Sequence, residues 1–445
     1  MKLHLFPHLP MPRHSVTPIP VAALQAIWLP ATLLVLFLVA DLFRPLIPID
    51  ETRYMTVAWE MFLQHGWLDP LTLNFEPYHH KPPLLFWLIN LSWSVFGVSR
   101  WAAQVPVFLA SLGCVYLTGT LGGLLFPGLL HHQQRTRLLM ITTIPFLIYG
   151  TLVMFDILLC CFVLSALIGT VLYARSRMRG YALLAGLFLG LGVLTKGPVA
   201  YLYVLPPLLL TPVWQTDFDR PVSWYADSLL IVAVSLLPVL AWLIPVLQTS
   251  SSDFAFWLVW NQTAGRITGN FAAAHSRPVY FYLPILPLFF MPWLFLPAFW
   301  RGLPRLKGPA LQQEGLRFLL TWLLPVFICF SLISGKQPHY LVPLLPGMVL
   351  LSTHCLEQVE TSKLAGVFSL VLTILIGLQA VASKTVLIPY DLRPIAEIIR
   401  KNPHSDLLFV HNYQGEIGFL SKLERHVDDR HMDEANNWFR QHPGG

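Results

Sequence analysis

The sequence predicts an all-α polytopic membrane protein, and three observations support this fold class. Of its 445 residues, 55% are hydrophobic and only 12% are charged, which is about half the roughly 25% found in soluble domains. The apolar residues form continuous runs that approach the roughly 20 residues a spanning helix needs. These runs do not alternate with polar residues, as the strands of a lipid-spanning barrel do. The composition excludes a cytosolic globular protein, a disordered chain and a disulfide-stapled secreted domain.

Twelve apolar runs are candidate spans. The first, Val21–Phe43, follows a proline-rich N-terminus without a small-residue cleavage site, so we predict a retained span and not a signal peptide. Run 82–97 has only 16 residues, and a run of that length can enter the membrane without crossing it. Allowing for such short runs, we predict roughly 11 to 13 spans. The other runs are 101–126, 138–155, 157–174, 181–195, 198–214, 226–247, 278–300, 318–334, 338–356 and 364–382.

Basic clusters between the runs fix the orientation, because cytoplasmic loops are enriched in Lys and Arg. These clusters are Arg13, Arg135 with Arg137, Arg175 with Arg177 and Arg179, and Arg301 with Arg305 and Lys307. With the clusters in the cytoplasm, the opposite side holds several segments that connect spans. They are 44–81, 151–156, 195–198, 248–277, 335–340 and the C-terminal tail.

Two regions outside the spans have structure of their own. In the first outer loop, 44–81, apolar residues recur at helical spacing from Tyr54 to Phe62. This pattern predicts a helix lying flat at the membrane interface, and an ordinary packed extramembrane helix is the alternative. After residue 382 the chain becomes more polar, so we divide it into a transmembrane domain, 1–382, and a small α/β segment, 383–445. Within that segment the pattern predicts a strand at Thr385–Ile388, a helix at Leu392–Lys401 and a strand at Asp406–Val410.

Adjacent carboxylates open the first outer loop, in Asp50-Glu51-Thr52-Arg53-Tyr54. Ionisable residues at a membrane boundary are costly unless they are paired or hydrated. One interpretation is that a carboxylate accepts a proton from, or orients, an attacking hydroxyl. The other is that Asp50 begins a helix and Arg53 forms a salt bridge with it. The residues alone do not decide between these interpretations.

The same loop ends in Tyr78-His79-His80-Lys81-Pro82-Pro83. Proline in the first turn starts a helix, so Lys81 is predicted to lie beside free backbone N–H groups. A cation in that position suits a phosphate, although a snorkelling interfacial lysine has the same pattern. His79 and His80 could bind a metal or simply form local hydrogen bonds.

Further polar residues interrupt apolar surroundings on the same predicted side of the membrane. Each alone fits a boundary anchor, but together they supply a third acid and three more cations. A face that combines carboxylates with ammonium and guanidinium groups suits a reaction with an anionic leaving group and a hydroxyl or amine attacker. No Walker A loop, dinucleotide fingerprint or Gly-x-Ser-x-Gly elbow is present to suggest a soluble substrate. The additional residues are Asp156, Lys196, Asn261, Arg266, Lys336 and Tyr340.

These motifs, in this order, resemble the bacterial GT-C glycosyltransferases that include the aminoarabinose–lipid A transferases, which are akin to protein O-mannosyltransferases. The likeness covers about residues 20–390. The matching pieces are Asp50-Glu51-x-Arg53-Tyr54, His80-Lys81-Pro82-Pro83-Leu84, Asp156, Leu194-Thr195-Lys196-Gly197-Pro198, Gly265-Arg266, Arg277-Pro278-x-Tyr280-Phe281-Tyr282-Leu283-Pro284 and Gly335-Lys336-x-Pro338-x-Tyr340.

The resemblance implies an inner-membrane enzyme whose active site faces the periplasm. It would move a sugar from a polyprenyl (undecaprenyl) phosphate to a lipid, glycan or protein acceptor, with no nucleic acid partner. The implied roles are acceptor activation by Asp50, with Glu51 and Asp156 as further acids of the site, and binding of the donor phosphate by Lys81, Arg266, Lys336 and Tyr340. The implied pocket residues are Arg53, Tyr54, His80, Lys196 and Asn261.

The chain departs from that family at two positions linked to zinc. His80 replaces a Glu, and Asn261 replaces a His. Asparagine is a poor zinc ligand, so we predict no metal site and no required cofactor, with His80 as the sole candidate ligand. A lipid or glycan transporter, or flippase, without covalent chemistry is the alternative function, and an inactive scaffold is another. Transporters often carry internal repeats and deep intramembrane charges, whereas this sequence has its charges at one predicted face.

Overall fold

The structure, a computed structural model, describes residues 21–129, 131–258, 277–308 and 312–442. It is predominantly helical, with two small two-stranded sheets in the described part, so the predicted fold class is confirmed. The helices are α1 Val21–Phe43, α2 Asp50–Gln64, α3 Leu84–Phe96, α4 Arg100–Leu125, α5 His132–Thr142, α6 Ile144–Tyr149, α7 Phe155–Ser176, α8 Arg179–Lys196, α9 Val199–Leu209, α10 Thr211–Trp214, α11 Pro221–Thr249, α12 Ser252–Phe256, α13 Pro297–Gly302, α14 Glu314–Leu332, α15 Leu345–Cys355, α16 Thr361–Ser383, α17 Arg393–Lys401, α18 Gly418–Ser421 and α19 Ala435–Gln441. The strands are β1 Thr72–Leu73, β2 Glu76–Pro77, β3 Leu408–Val410 and β4 Asp428–Arg430.

Six of these helices are long and apolar enough to span a membrane, namely α1, α4, α7, α11, α14 and α16. They define two ends of the helical domain. We call the end at which α1 stops and α7 begins the upper end, and the end at which α7 stops and α14 begins the lower end. The predicted first span coincides with α1.

Five further stretches connect the two ends, namely α5–α6, α8, α9–α10, 279–306 and 338–355. In the first, Arg135 donates to the carbonyl of Leu356 at the lower end (2.8 Å), and the stretch finishes beside Thr151, whose carbonyl accepts from Arg44 at the upper end (2.7 Å). Similarly, α8 runs from Arg179, near Asp227 at the lower end, to the upper end. Together with the six long helices, these stretches make eleven traversals of the described domain, within the predicted range.

Helix α3 does not traverse the domain. At about 1.5 Å per residue it is roughly 20 Å long, which is short of the roughly 30 Å hydrocarbon core. Its Asn90 amide donates to the carbonyl of Ala58 in α2 (3.0 Å). Just beyond its C-terminus, Arg100 donates to the carbonyl of Arg44 (2.7 Å). Both ends of α3 therefore lie at the upper end, and the stretch 82–126 crosses once, through α4.

Close approach of α8 to α11 tightens the centre of the domain. A Cβ added at Gly186 would lie 2.6 Å from the carbonyl oxygen of Ile231, and one added at Gly190 would lie 2.4 Å from that of Ser235. The two glycines are four residues apart, on one side of α8. This small-residue spacing lets membrane helices pack backbone to backbone, so α8 lies directly against α11.

The first loop and the C-terminal segment pack against each other. Thr56 of α2 donates to the carbonyl of Gly415 (2.7 Å), and Trp59 donates to that of Leu423 (2.8 Å). Lys422 lies over the rings of Phe419 and Trp59, at 3.7 and 4.7 Å from their centroids. Helix α2 thus has the packing of the alternative considered above, an extramembrane helix buried between other elements.

A short hairpin also belongs to this contact. Strands β1 and β2 pair antiparallel, and the carboxylate of Glu60 in α2 accepts from the backbone N–H groups of Asn74 (2.7 Å) and Phe75 (2.9 Å) at the turn. Burial raises the pKa of Glu60, and these hydrogen bonds partly offset that rise. Asn74 in turn exchanges two hydrogen bonds with the backbone of Val427. The hairpin therefore ties α2 to the C-terminal segment.

One strand prediction is wrong. Thr385–Ile388 was predicted as a strand from its β-branched residues, but these residues form turns that lead into a 3-10 helix at Ile388–Tyr390. The strand β3 pairs in parallel with β4, so the chain from 385 to 388 takes no part in that sheet. The predicted helix at Leu392–Lys401 and the strand at Asp406–Val410 correspond to α17 and β3 and are confirmed within two residues.

Candidate active site

The first acid of the candidate site lies at the start of α2. Asp50 is partly exposed, and its carboxylate accepts a hydrogen bond from the phenol of Tyr54 one helical turn later (3.2 Å). Burial, and after it the neighbouring Asp50 carboxylate, raise the pKa of Tyr54 well above its usual range. The phenol therefore stays protonated and orients Asp50 by donating to it. Asp50 keeps an accessible carboxylate at the edge of a packed helix.

The second acid forms a buried ion pair. Asp156 lies in the first turn of α7, and the ammonium of Lys196 at the end of α8 is 2.5 Å from its Oδ1. The two side chains are 3% and 8% exposed, respectively. Lys196 also lies 4.8 Å from the ring centroid of Tyr340. The two opposite charges compensate each other at a buried position of the upper end, so the pair as a whole carries no net charge.

Lys81 completes the cluster. Its ammonium lies 5.9 Å from the ring centroid of Phe155, the residue before Asp156. Asp156 interacts electrostatically with Lys81, Lys196 and His339, and His339 interacts also with Asp50. Side chains from four distant segments of the sequence, with His339 from a fifth, therefore converge at the upper end.

Aromatic rings form the floor of this cluster. Tyr54 packs edge-on against Phe155 with centroids 4.8 Å apart, and Phe86 of α3 packs edge-on against Phe155 at 5.4 Å. Since these rings come from α2, α3 and α7, they fix the relative positions of the helices that carry Asp50 and Asp156 and of the helix that follows Lys81. They also exclude water beneath the charges, which strengthens electrostatic interactions above them.

Glu51 does not lie in the cluster as a free acid. It is 1% exposed, and its oxygens accept from the backbone N–H groups of Ile47 (3.0 Å) and Val153 (2.8 Å). Arg44 lies 3.7 Å away and also binds Thr151. The predicted catalytic role does not fit this burial. Glu51 anchors the turn that precedes α7 and so positions Asp156.

Lys336 is likewise engaged elsewhere. It is 2% exposed, and its ammonium donates to the carbonyls of Arg277 (2.9 Å) and Ile333. This contact ties the segment that begins at residue 277 to the end of α14, so direct binding of a phosphate by Lys336 does not fit. Tyr340, which was predicted to lie beside Lys336, does contact the cluster, because the ammonium of Lys196 lies over its ring.

The remaining predicted residues divide into two groups. Arg53 and His80 are half-buried at the same end, and the His80 ring lies 5.3 Å from that of Tyr78. Asn261 and Arg266 lie outside the described residues. Within the described ranges, no group of three or more His, Cys, Asp or Glu side chains is placed to hold a metal ion.

His339 is the site residue that the sequence interpretation passed over. It lies between Lys336 and Tyr340 in a run that was noted, and its ring is 5.0 Å from Tyr340 and 6.4 Å from Tyr149. Its position after Pro338, at the start of a 3-10 helix, was the available signal. Tyr149 was missed because it sits inside an apolar run. It reaches Asp156 only because α6 ends at the upper end.

Comparison with known proteins shows which proteins this chain is similar to. Residues 80–242 match the family described as dolichyl-phosphate-mannose-protein mannosyltransferase. The chain is 29% identical over 371 residues to an undecaprenyl phosphate-alpha-4-amino-4-deoxy-L-arabinose arabinosyl transferase of Pseudomonas fluorescens, covering 78% of this chain and 63% of that protein. It is 32% identical over 324 residues to the arabinosyl transferase of Pseudomonas paraeruginosa, covering 69% and 55%. The chain thus spans about three fifths of the length of these relatives.

Solved structures show the same fold. ArnT from Cupriavidus metallidurans bound to undecaprenyl phosphate superposes with a TM-score of 0.78 at 18% identity, over 95% of this chain and 88% of that one. The archaeal oligosaccharyltransferase AglB from Archaeoglobus fulgidus gives a TM-score of 0.52 at 13% identity, over 91% and 65%. The predicted resemblance is confirmed, since the chain has the GT-C fold and is similar in sequence to polyprenyl-phosphate-sugar glycosyltransferases.

Proposed function

We propose that this protein is an integral membrane glycosyltransferase that moves a sugar from a polyprenyl phosphate to an acceptor hydroxyl or amine. The observation that carries the proposal is the meeting of Asp50, Lys81, Asp156 and Lys196 in one cluster at the upper end. The similarity to arabinosyl transferases whose names include undecaprenyl phosphate, and to an ArnT structure bound to undecaprenyl phosphate, supports a lipid-linked donor.

In the proposed step, the acceptor oxygen or nitrogen attacks the anomeric carbon of the sugar. A new bond from the acceptor to that carbon forms while the bond from the carbon to the phosphate oxygen breaks. The bonding electrons leave with the polyprenyl phosphate, and the acceptor proton passes to Asp50. Asp50 suits this task because its carboxylate is accessible and is oriented by Tyr54. A positioned general base of this kind typically contributes about 10²- to 10⁴-fold in rate.

The cations neutralise the charge of the leaving phosphate. Lys81 lies just before the N-terminus of α3, where its ammonium and the helix dipole act in the same sense on an anion. Arg266, from the sequence pattern, is proposed as its partner. Tyr340 lies beside the cluster under Lys196 and is proposed as a hydroxyl donor to the same phosphate. These groups stabilise charge that develops during the reaction.

Asp156 and Lys196 set the field in which this reaction occurs. Their compact pair leaves little net charge at the floor of the site, so an incoming anionic donor meets the positive charge of Lys81. We propose that the pair also fixes the ends of α7 and α8, which frame the sugar. Arg53 and His80 are proposed to line the mouth of the pocket.

The proposed location is the bacterial inner membrane with the site on the periplasmic face. The basic clusters support this orientation, because Arg135, Arg175 and Arg305 all lie at the lower end, and cytoplasmic loops are enriched in such residues. The acceptor is proposed to be a lipid, a glycan or a protein. We treat residues 1–382 as the catalytic domain and 383–445 as a periplasmic appendage that orders α2.

The direct test is transfer by the purified full chain in sealed proteoliposomes, whose lumen separates the two leaflets. Undecaprenyl phosphate carrying a radiolabelled sugar is supplied with membrane extracts as the source of acceptor, and the labelled product is followed by chromatography and mass spectrometry. We expect label to move to a new glycoconjugate with release of undecaprenyl phosphate. Movement of intact donor across the bilayer, without release of undecaprenyl phosphate, would instead indicate a transporter and contradict the proposal.

A further inference from the structure

The segment after the last span exposes an unusual number of apolar side chains. In α17, Ile395 is 50% and Ile398 is 63% exposed, and in the turns before it Val386 and Ile388 are exposed by 68% and 59%. This segment lies beyond α16, so these side chains are outside the candidate spans. Contiguous exposed apolar surface of this kind marks a contact with another phase or molecule.

Helix α17 has two distinct apolar sides. Residues advance by about 100° each around a helix, so Ile395 and Ile398 share one side. Ala396, which is buried, lies about 100° from Ile395. Glu397 lies about 160° from Ile395 and about 100° from Ile398. The fold of the chain covers the Ala396 side and leaves Ile398 open, with Ile395 at the rim, where it also lines a cavity with Ile399 and Phe409.

The start of α17 lies level with the upper ends of α1 and α4. Arg393, the first residue of α17, interacts electrostatically with Asp41, and Asp391 interacts with Arg100. Asp41 and Arg100 form an ion pair (3.2 Å) that joins the last turn of α1 to the first turn of α4. The start of α17 is therefore next to two span ends, and only nine residues separate it from the end of α16, a helix whose apolar window is just 6% buried in the protein.

Basic residues lie near the apolar side. Lys384 precedes α17, Lys401 lies about 60° around the helix from Ile398, and both are exposed. Apolar side chains beside Lys and Arg are the pattern of a helix that lies in a membrane interface and attracts anionic headgroups.

We infer that α17 and the turn before it lie on the bilayer surface, with Ile395 and Ile398 inserted among anionic lipids. The contact fixes the height of the C-terminal segment over the upper end, independently of any catalytic activity. The C-terminal segment binds α2 by accepting hydrogen bonds from Thr56 and Trp59. A membrane-anchored α17 thereby sets the position of the helix that begins at Asp50.

Spin-label accessibility tests the inference in the full chain, in nanodiscs that contain anionic lipid. A nitroxide is attached to Ile395→Cys, Ile398→Cys or Glu397→Cys, the last being the matched control on the opposite side of the same helix. Labelled wild-type protein gives the background from the five native cysteines. We expect collisions with oxygen to exceed collisions with a water-soluble nickel chelate at 395 and 398, and the reverse order at 397. Exposure to the chelate at all three positions overturns the inference.

Low collision with both reagents at 395 and 398 also overturns it, since a second protein chain would then cover the patch.

A measurement on the unmodified protein avoids any disturbance by the spin labels. Photoactivatable lipids are crosslinked to the unmodified chain, and adducts are mapped after trypsin digestion. Pro394 blocks cleavage after Arg393, so Thr385–Arg400 is recovered as one peptide. We expect adducts on this peptide and far fewer on the adjoining Asn402–Lys422, and equal labelling of the two peptides contradicts the inference.

Discussion

The two ends of the helical domain both concentrate charge, but they use it differently. At the lower end, Arg135 donates to the carbonyls of Leu356, Glu357 and Val359, and Arg177 lies over the rings of Tyr173 and Trp224. These cations complete helix ends and cover aromatic surface. At the upper end, acids and cations from distant segments face one another in a cluster with an aromatic floor. The lower charges serve the fold, whereas the upper charges are grouped as the proposed reaction requires.

The largest predicted effect concerns the buried pair of the upper end. Asp156→Ala removes the partner of the 8%-exposed Lys196 and should destabilise the protein by about 3–5 kcal/mol, as uncompensated buried charges do. Thermal unfolding in nanodiscs measures the change. The double variant Asp156→Asn with Lys196→Met removes both charges and should recover most of that loss. If Asp156→Ala unfolds like the wild type, the pair does not hold α7 to α8.

The next effect concerns the phosphate side of the cluster. Lys81→Ala removes a cation beside the proposed leaving group and should lower kcat/KM for sugar transfer by about 10²- to 10³-fold, with little change in unfolding temperature. Lys363→Ala is the matched control, because that lysine is exposed at the lower end, in the first turn of α16. Equal activities of the two variants would show that upper-end cations are no more specialised than lower-end ones.

A smaller effect distinguishes the two adjacent carboxylates. Glu51→Ala leaves the buried N–H groups of Ile47 and Val153 without acceptors and should cost about 3 kcal/mol of stability. Glu51→Gln keeps one acceptor oxygen and should recover both stability and transfer in large part. Retained transfer by Glu51→Gln, measured at a temperature where it is folded, supports an anchoring role. Loss of transfer in folded Glu51→Gln would indicate that the Glu51 carboxylate takes part in the reaction.

The smallest effect belongs to the lower end. Arg135→Met should lower stability by about 1.5 kcal/mol, because three carbonyls near the end of α15 lose a charged donor. Transfer at a temperature where the variant is folded should equal that of the wild type. A strong loss of transfer with an unchanged unfolding temperature would break the comparison, since it would connect the lower end to the chemistry.

The sequence predicted the parts of this arrangement that depend on local pattern. Hydropathy found α1 to the residue, and the interruption of apolar runs by Asp156 and Lys196 pointed to residues that form a pair. The role of Glu51 could not be read locally, because it depends on Val153, a hundred residues away in sequence. Two neighbouring residues of a helix point about 100° apart, so Asp50 and Glu51 look alike in sequence and differ completely in burial.

The strand predicted at Thr385–Ile388 failed for a related reason. A strand is stabilised by its neighbour, and the nearest paired strands, β3 and β4, lie beyond α17. His339 escaped notice because a histidine next to Pro338 resembles an interfacial anchor. Asp156 and Lys196 lie near His339 only because α7 begins, and α8 ends, at the upper end of the domain.

In the proposed mechanism, Asp50 takes the acceptor proton in a site assembled at the upper end. The most direct measurement compares Asp50→Asn with the wild type for both donor binding and transfer, using radiolabelled undecaprenyl-phosphate sugar in nanodiscs. We expect donor binding within a factor of about three and transfer lower by about 10²- to 10⁴-fold, since the amide retains the shape but cannot accept the proton. Transfer by Asp50→Asn at the wild-type rate would contradict it.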